Sequence, residues 1–307
     1  MFYEKYISKA YSRISFDTRS HAKRECTCMF HVRTMSTDDI DFAVHLTSLV
    51  NWNMSRADFE FMMELEPEGC FILLQELERI GLATNVSFGR VGWFGNLLVK
   101  EEFRKKGAGS QLVLHSIKYL RSKNVATVAL YAYLDVVPLY KKLDFTYDSN
   151  YVVLVGKGFS SPPNASMRQA KNEDLQRIIE YDQSCLGSNR RKLLEPIMLD
   201  SDNICYVSTD DKRILGYAIA KVYDGMAELG PLVCNQSRDD IAIDLLKTAL
   251  NRLKGFEVSM FVPNKETKIL NALRTFGFEE RFQVARMFNG PPINEKCILF
   301  AESLERG

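Results

Sequence analysis

The chain has 307 residues, of which 46% are hydrophobic, and its formal net charge is +1. This length is enough for two domains of ordinary size, each with its own hydrophobic core. The near-neutral charge does not favour nucleic acid or an anionic membrane as the main partner. No apolar run approaches the roughly 20 residues of a membrane-spanning helix. We therefore expect a cytoplasmic protein without nucleic-acid or membrane partners.

The seven cysteines are an odd number scattered along the chain, which is typical of reduced thiols in an intracellular protein. Cys26, Cys28 and His31 lie close together, but the fourth ligand and the spacing of a structural zinc site are missing, so we expect no metal. Residues 1–29 are predicted to be an N-terminal tail. Its basic and Ser-rich composition makes a mitochondrial targeting segment the alternative to a cytoplasmic location, although its acidic residues argue against that alternative.

One order of elements occurs twice along the chain. A capped amphipathic helix comes first, three apolar or alternating strands follow, and then come a helix, a strand, a short helix and a last strand. In the first half the predicted elements begin with a helix at 36–46, strands at 70–77, 79–86 and 91–99, a helix at 112–120 and a strand at 127–133. In the second half they begin with a helix at 172–182 and strands at 204–208, 214–222, 226–233 and 257–263.

This repetition predicts two copies of one domain rather than a solenoid, because the repeat is about as long as a whole domain. The boundary is expected at 158–165, where Gly, Ser and a double proline form the best linker in the chain. The predicted domains are therefore 30–157 and 166–307. Strand–helix–strand crossovers mixed with hairpins predict an α/β fold with a mixed, partly parallel and partly antiparallel (α+β) sheet.

The stretch VKEEFRKKGAGSQL, residues 99–112, joins a predicted strand to a predicted helix. The first amides of a helix lack partners within the helix and favour negative charge. Glycine at 107 and 109 removes the Cβ, so an oxyanion can approach the backbone. The pattern fits neither a Walker loop nor a dinucleotide fingerprint. We expect an anion-binding turn, and the alternative is a solvated basic turn without a ligand.

The spacing V-x-x-x-x-R-x-x-G-x-G, from Val99 to Gly109, resembles the acetyl-CoA loop of the GNAT acyltransferases. This resemblance implies acetyl-CoA as co-substrate, acetyl transfer to an amine as the reaction, and a thioester carbonyl polarised by backbone N–H groups at the end of the fourth strand. The residues predicted to contact the cofactor are Leu97, Leu98, Val99, Arg104, Lys105, Lys106, Gly107, Ala108, Gly109 and Ser110.

A second signature of the GNAT family, L-Y-x-K-x-G-F, resembles LYKKLDF at 139–145. The resemblance makes Tyr140 the general acid that protonates the departing thiolate, and a core aromatic is the alternative. The chain departs from the family at Asp144, where the signature has glycine, and at Tyr133, where the family usually has asparagine. These departures put the pantetheine contacts of this segment in doubt.

Nearly the whole chain resembles the YitH-like two-domain GNAT proteins. NWNMSRADFEF, from residue 51, carries their opening pattern, and Trp52, Asn53 and Asp58 are predicted to line the acceptor pocket on this basis. The second half has no R-x-x-G-x-G; it has CNQSRDDIAIDLL from residue 234. Acidic residues at that helix start would repel a pyrophosphate. We therefore expect a second GNAT-like domain with a degenerate cofactor loop, which helps to wall the acceptor pocket.

No general base is assigned. Glu228 is a candidate base or pocket residue, since it falls on the second half's counterpart of the fourth strand. His115 is expected on a solvated helix face, off the apolar stripe. The leading function is acetyl transfer to a primary amine of a small molecule. The alternatives are a protein or peptide N-acetyltransferase and a non-catalytic acyl-CoA-binding or scaffold protein. A monomer is expected, because tandem domains can bury within one chain the surfaces that single domains use to dimerise.

Overall fold

The computed structural model describes residues 30–52, 54–162, 164, 166–210, 213–293 and 295–307. The strands are β1 (Phe30–Thr34), β2 (Phe71–Gln75), β3 (Glu78–Phe88), β4 (Val91–Val99), β5 (Thr127–Tyr133), β6 (Thr146–Lys157), β7 (Met167–Gln169), β8 (Ile204–Asp210), β9 (Arg213–Val222), β10 (Met226–Asn235), β11 (Glu257–Pro263), β12 (Glu279–Asn289) and β13 (Cys297–Phe300). The helices are α1 (Ile40–Ser48), α2 (Arg56–Leu65), α3 (Ala108–Ser122), α4 (Val137–Lys141), α5 (Leu175–Leu186), α6 (Arg191–Leu199), α7 (Asp239–Arg252) and α8 (Thr267–Thr275).

The predicted elements occur in the predicted order, but the prediction missed α2, α6, β7 and β13, and it placed several helix ends wrongly. β4 has the predicted bounds, and β3 and β8 to β10 differ from the prediction by a residue or two at their ends. α3 begins at Ala108 rather than at 112, because the prediction placed its start at the first residue of the apolar stripe. α1 begins at Ile40, since the preceding residues Thr37–Asp39 form a 3-10 turn.

The chain divides into two compact units. The first contains the described residues up to Thr84 together with Asn96–Ser116. Within it β2 pairs antiparallel with both β1 and β3. α1 packs against α2, and their apolar side chains are buried, with Leu46 and Phe59 at 2% exposure or less. This unit therefore holds a hairpin-rich sheet, covering helices and the start of α3.

The second unit contains Asn85–Gly95 and Ile117–Gly307. Its strands follow the order β4-β5-β12-β6-β11-β10-β9-β8-β7, with β13 beside β10. The pairs β4–β5 and β10–β11 are parallel, and the other pairs in this order are antiparallel. The sheet is therefore mixed, as the sequence predicted. Buried leucines of α7, including Leu245 and Leu246, pack in a hydrophobic core of this unit.

The two halves of the chain exchange their last strands. β12, the last long strand of the second half, pairs with β5 and β6 of the first half, and β6 pairs with β11 of the second. The predicted linker also packs against the protein, since the Phe159 amide donates to the Leu250 carbonyl of α7. The compact units thus do not follow the sequence halves, and the boundary at 158–165 stays a prediction.

Each half of the described chain contains a clamp in which a half-buried arginine holds a buried aspartate. Arg33 donates two hydrogen bonds to Asp39 at 2.6 and 2.8 Å, and Arg168 donates two to Asp174 at the same distances. Burial alone would raise the pKa of Asp39, but hydrogen bonds from Arg33 and Ser36 outweigh it and lower the pKa to about 2. The hydrogen bond from Arg168 likewise lowers the pKa of Asp174 to about 2. The same clamp at the same place supports the internal repeat.

Candidate functional site

A sharp turn joins β4 to α3 within the first unit. The chain passes through the 3-10 turn Glu101–Phe103 and then takes left-handed φ values at Lys105 (60°) and Gly107 (88°). Arg104 Nε donates to the carbonyl oxygen of Val99 at 2.8 Å, which ties the turn to the end of β4. The turn is therefore built by the same arginine and glycine that the sequence motif selected.

Open space lies beside the first turn of α3. Among the described residues, a Cβ added to Gly107 or Gly109 would meet no atom within 4 Å other than those of its chain neighbours and its own helix. The left-handed φ of Gly107 explains the glycine there. Gly109 has no left-handed φ, and no close neighbour in the described structure would exclude a side chain at this position. Alanine is roughly 0.5–1 kcal/mol more favourable than glycine inside a helix. The packing of the protein thus gives no reason for Gly109, whereas an oxyanion on the helix amides does.

Positive charge surrounds this bare helix start. Arg104, Lys105 and Lys106 are all exposed, and Lys106 Nζ lies 5.5 Å from the ring centroid of Phe103. Gln111 Nε2 donates to the carbonyl oxygen of Phe30, which fixes α3 to β1 at 2.8 Å. The predicted loop residues therefore lie together on a fixed frame, and their charge and open backbone fit the phosphates of a nucleotide cofactor.

β4 changes direction before it reaches the turn. Its parallel ladder with β5 comprises three residue pairs and ends at Trp93 with Ala129. Asn96 then has a left-handed φ of 51°, and its Nδ2 donates to Thr84 Oγ1 at 3.1 Å inside the protein. Asn tolerates this backbone better than most residues. Asn96 directly precedes Leu97–Val99, the segment predicted to contact the thioester. Sequence analysis did not single out Asn96; the feature that could have identified it is an amide side chain within an otherwise apolar strand.

Tyr140 belongs to the second unit. It lies in α4, is 6% exposed, and its ring packs edge-on against Phe94 and Phe145 at centroid distances of 6.3 and 5.7 Å. Asp144 has a left-handed φ of 63°, which explains why the family signature has glycine there. Asp144 thus adopts the left-handed backbone conformation that suits the glycine of the signature. The role of Tyr140 as general acid stays a prediction.

The pocket role predicted for Trp52, Asn53 and Asp58 stays a prediction, and the structure shows the local contacts of two of these residues. Asp58 accepts hydrogen bonds from the backbone amide and the hydroxyl of Ser55, both at 2.7 Å, so its carboxylate caps α2. Trp52 is half-buried, and its amide donates to the Thr47 carbonyl. Asn53 lies outside the described residues. The structure gives Asp58 a structural task, and a pocket role for Trp52 stays a prediction.

The candidate base Glu228 and His115 both have contacts within the protein. Glu228 forms an ion pair with Lys221 at 2.8 Å, and Lys221 is itself buried and paired with Glu302. His115 is half-buried with its ring edge-on to Phe71 at 4.6 Å. The expectation of a solvated His115 is therefore wrong in part, because one edge of α3 carries this side chain against β2.

The second half has filled the place of its own cofactor cleft. β10 and β11 pair in parallel only from Met226 to Glu228. Farther along, β13 pairs with β10, and the Ala301 amide donates to the Phe261 carbonyl of β11 at 3.2 Å, so β13 fills the gap between them. At the start of α7, Asp239 and Asp240 are paired with Lys268 and Arg238. A degenerate second cofactor loop is thus confirmed, with an added steric cause.

The described part of the chain contains no group of three or more His, Cys, Asp or Glu side chains that could hold a metal ion. Cys26 and Cys28 lie outside the described residues, as does the predicted targeting segment, and His31 is exposed in β1. None of the described helices is both long and apolar enough to span a membrane.

Two models of GNAT proteins match the chain, one in each half. The acetyltransferase (GNAT) family model matches residues 39–145, and an acetyltransferase (GNAT) domain model matches residues 178–298. A holothin acyltransferase of Pseudoalteromonas sp. is 25% identical over 268 residues, 83% of this chain and 87% of that protein. YitH, an uncharacterized N-acetyltransferase of Bacillus subtilis, is 22% identical over 196 residues, 63% of this chain and 68% of that protein.

Solved structures share the fold. A putative acetyltransferase from Pyrococcus horikoshii superposes with a TM-score of 0.76 at 22% identity, covering 95% of this chain and 100% of its own. A tandem GNAT protein from the clavulanic acid biosynthesis pathway has a TM-score of 0.59 at 12% identity, covering 86% of this chain and 100% of its own. At these identities the likeness is one of fold, and it extends over both halves of the chain.

Proposed function

We propose, from the premise that the chain belongs to the GNAT family of N-acetyltransferases, that it transfers the acetyl group of acetyl-CoA to a primary amine of a small molecule. The observation that carries this proposal is Gly109, a helical glycine with open space and three basic residues beside it. GNAT proteins use acyl-CoA generally, and acetyl-CoA is the specific donor that we propose.

Each proposed role belongs to a described element. The amides at the start of α3 and the side chain of Arg104 bind the pyrophosphate. Backbone N–H groups within Leu97–Val99 polarise the thioester carbonyl. Tyr140 donates a proton to the sulfur. When bound, acetyl-CoA supplies an activated acyl group and a thiolate leaving group. The second domain helps to wall the acceptor site in this proposal.

A small acceptor is favoured over a basic peptide by the state of the three acidic side chains that the sequence singled out. Asp58 caps a helix, and Asp239 and Asp240 already have cationic partners. A peptide rich in lysine would need acidic side chains that are still unpaired. The relative named holothin acyltransferase, which aligns with most of this chain, is consistent with an acyl transfer reaction. The protein or peptide alternative is therefore the weaker candidate.

A non-catalytic acyl-CoA-binding protein is the remaining alternative, and the departures at Tyr133 and Asp144 are what favour it. The direct test is turnover of acetyl-CoA, followed as release of free thiol, with a panel of aliphatic and aromatic amines and of lysine-containing peptides. We expect turnover with at least one small amine and little with the peptides. Turnover with peptides alone would show that the acceptor is a peptide or protein rather than a small amine. Binding of acetyl-CoA without any turnover would favour the non-catalytic alternative.

The monomeric state and the absence of nucleic-acid and membrane partners are part of the same proposal, as is a cytoplasmic location. Sedimentation of the purified full chain checks the first, since a monomer has the mass of one 35.2 kDa chain.

A further inference from the structure

The segment Ala301–Gly307, which follows β13, is held inside the second unit by buried ion pairs. Glu302 accepts hydrogen bonds from Lys221 at 2.6 Å and from Arg306 at 2.9 Å. Burial alone would raise the pKa of Glu302, but the charges of Arg306 and Lys221 outweigh it and hold this pKa far below its usual range. The segment is therefore fixed in place rather than loosely attached.

A tight turn sets the position of the next carboxylate. Ser303 Oγ accepts hydrogen bonds from the amides of Glu305 and Arg306 at 3.3 and 3.1 Å. The Gly307 amide donates to the Ser303 carbonyl at 3.3 Å, which closes the turn. These hydrogen bonds fix the backbone conformation of Glu305 and therefore the position of its Cβ.

This turn lies directly on β4. A Cβ added to Gly95 would lie 2.7 Å from the Cα and 2.8 Å from the Cβ of Glu305, so only glycine at this position allows the approach. A Cβ added to Gly307 would lie only 2.0 Å from the nearest ring atom of Trp93, so glycine is needed there too. Gly95 is two residues before Leu97 in the sequence, and Leu97 begins the strand segment proposed to bind the thioester carbonyl. Glu305 thus lies against Gly95, in the part of β4 that belongs to the second unit.

The Glu305 carboxylate differs from its acidic neighbours. Among the described residues, Glu305 Oε2 is buried and has no hydrogen-bond partner. Glu302 is paired with Lys221 and Arg306, and Glu228 on β10 is paired with Lys221 on β9. Burying a carboxylate oxygen without a hydrogen-bond donor costs desolvation free energy that nothing offsets, unless a ligand supplies the donor. An acceptor ammonium is a donor of the right charge.

We propose that Glu305 binds the acceptor amine as its ammonium form and is the general base of the reaction. This inference rests on the proposed function, because it assigns a residue to that acetyl transfer. Arg306, its charged neighbour in the turn, donates its hydrogen bonds to Glu302, and its charge also acts on Glu305 without a hydrogen bond to Oε2.

The proton balance of the step is complete. Glu305 takes one proton from the ammonium, which leaves a neutral amine. The amine nitrogen forms its bond to the acyl carbon while the carbon–sulfur bond breaks. Tyr140 gives its proton to the thiolate and recovers one from the new amide nitrogen, and Glu305 returns its proton to solvent. The products are the N-acetyl amine, the free thiol of coenzyme A and one proton.

The test compares Glu305→Gln with the parent on two kinds of acceptor. An aliphatic amine is charged at pH 7 and needs a base, whereas an aromatic amine is already neutral. We expect Glu305→Gln to lower kcat for the aliphatic amine by a factor on the order of 100 or more and to change the aromatic rate little. The remaining aliphatic rate should rise about tenfold per pH unit, because only amine deprotonated by solvent reacts. Affinity for acetyl-CoA, measured by calorimetry, should be unchanged.

Matched controls separate the base from a structural role. Glu279→Gln removes an exposed carboxylate and should leave both rates unchanged. Glu305→Asp keeps the charge, should retain more aliphatic activity than Glu305→Gln, and replaces that variant if it does not fold. An equal loss with both amines, or no loss with either, overturns the proposal while the parent remains active. A parent without turnover on any amine refutes the proposed function itself, and the role of Glu305 with it.

Discussion

Replacing Gly109 by alanine should make the protein more stable and a poorer binder of acetyl-CoA. The added methyl group meets no atom within 4 Å from the described residues outside its own helix, and alanine is the better helix former by roughly 0.5–1 kcal/mol. The free energy of unfolding should therefore rise by about that amount, and Tm by roughly 1–4 °C. The same methyl group occupies the space that we assign to a phosphate oxygen. Loss of one charge-assisted hydrogen bond costs roughly 1.5–3 kcal/mol, which is about tenfold to a hundredfold in Kd.

Thermal unfolding and calorimetric titration of acetyl-CoA measure the two effects on one sample. Gly187→Ala is the matched control, because it makes the same chemical change in the second half, far along the chain. Gly187 ends α5 with a left-handed φ of 69°, so alanine there should destabilise the protein by roughly 1 kcal/mol and leave Kd unchanged. A Gly109→Ala variant that binds acetyl-CoA as tightly as the parent would refute the assignment of an anion to this helix start.

Two further predictions concern Tyr140 and the Arg–Asp clamps. Tyr140→Phe keeps the buried ring between Phe94 and Phe145, so acetyl-CoA affinity should persist while kcat falls at least tenfold, about 1.4 kcal/mol of barrier; unchanged kcat would remove Tyr140 from the chemistry. The lowered pKa values of Asp39 and Asp174 stabilise the folded state above their ordinary pKa of 3.8, and this contribution is lost as pH falls towards 2. Urea unfolding of Asp39→Asn should show a shallower loss of stability between pH 4 and 2 than the parent does, and an equal slope would contradict the clamp.

The sequence was sufficient where the relevant physics is local. The bounds of β4 and a turn between β4 and a helix follow from apolar patterning and glycine chemistry within a few residues, although the helix was predicted to begin four residues too late. Acids at the start of α7 were equally readable, since Asp239 and Asp240 belong to its first turn. Such features need no knowledge of what lies beside them in space.

What the sequence could not provide depends on contacts between distant segments. A strand that pairs with the other half of the chain needs the same apolar residues as one that pairs within its own half. The pairing of β6 with β12 therefore cannot be read from the sequence. The position of β13 beside β10 likewise cannot be predicted from the sequence. Glu305 was missed for the same reason, because its significance comes from Gly95, which is more than half the chain away in sequence. Asp58 carried a motif signal, but its carboxylate caps a helix.

Calorimetric titration of acetyl-CoA into the full chain, with Gly107→Glu beside it, tests the central claim most directly. The account predicts saturable binding of one acetyl-CoA per chain, because the turn after β4 is open and β13 fills the corresponding gap in the second half. It also predicts that Gly107→Glu abolishes binding, since a carboxylate would stand where phosphate is expected. Two molecules bound per chain, binding that survives Gly107→Glu, or no binding at all would contradict it.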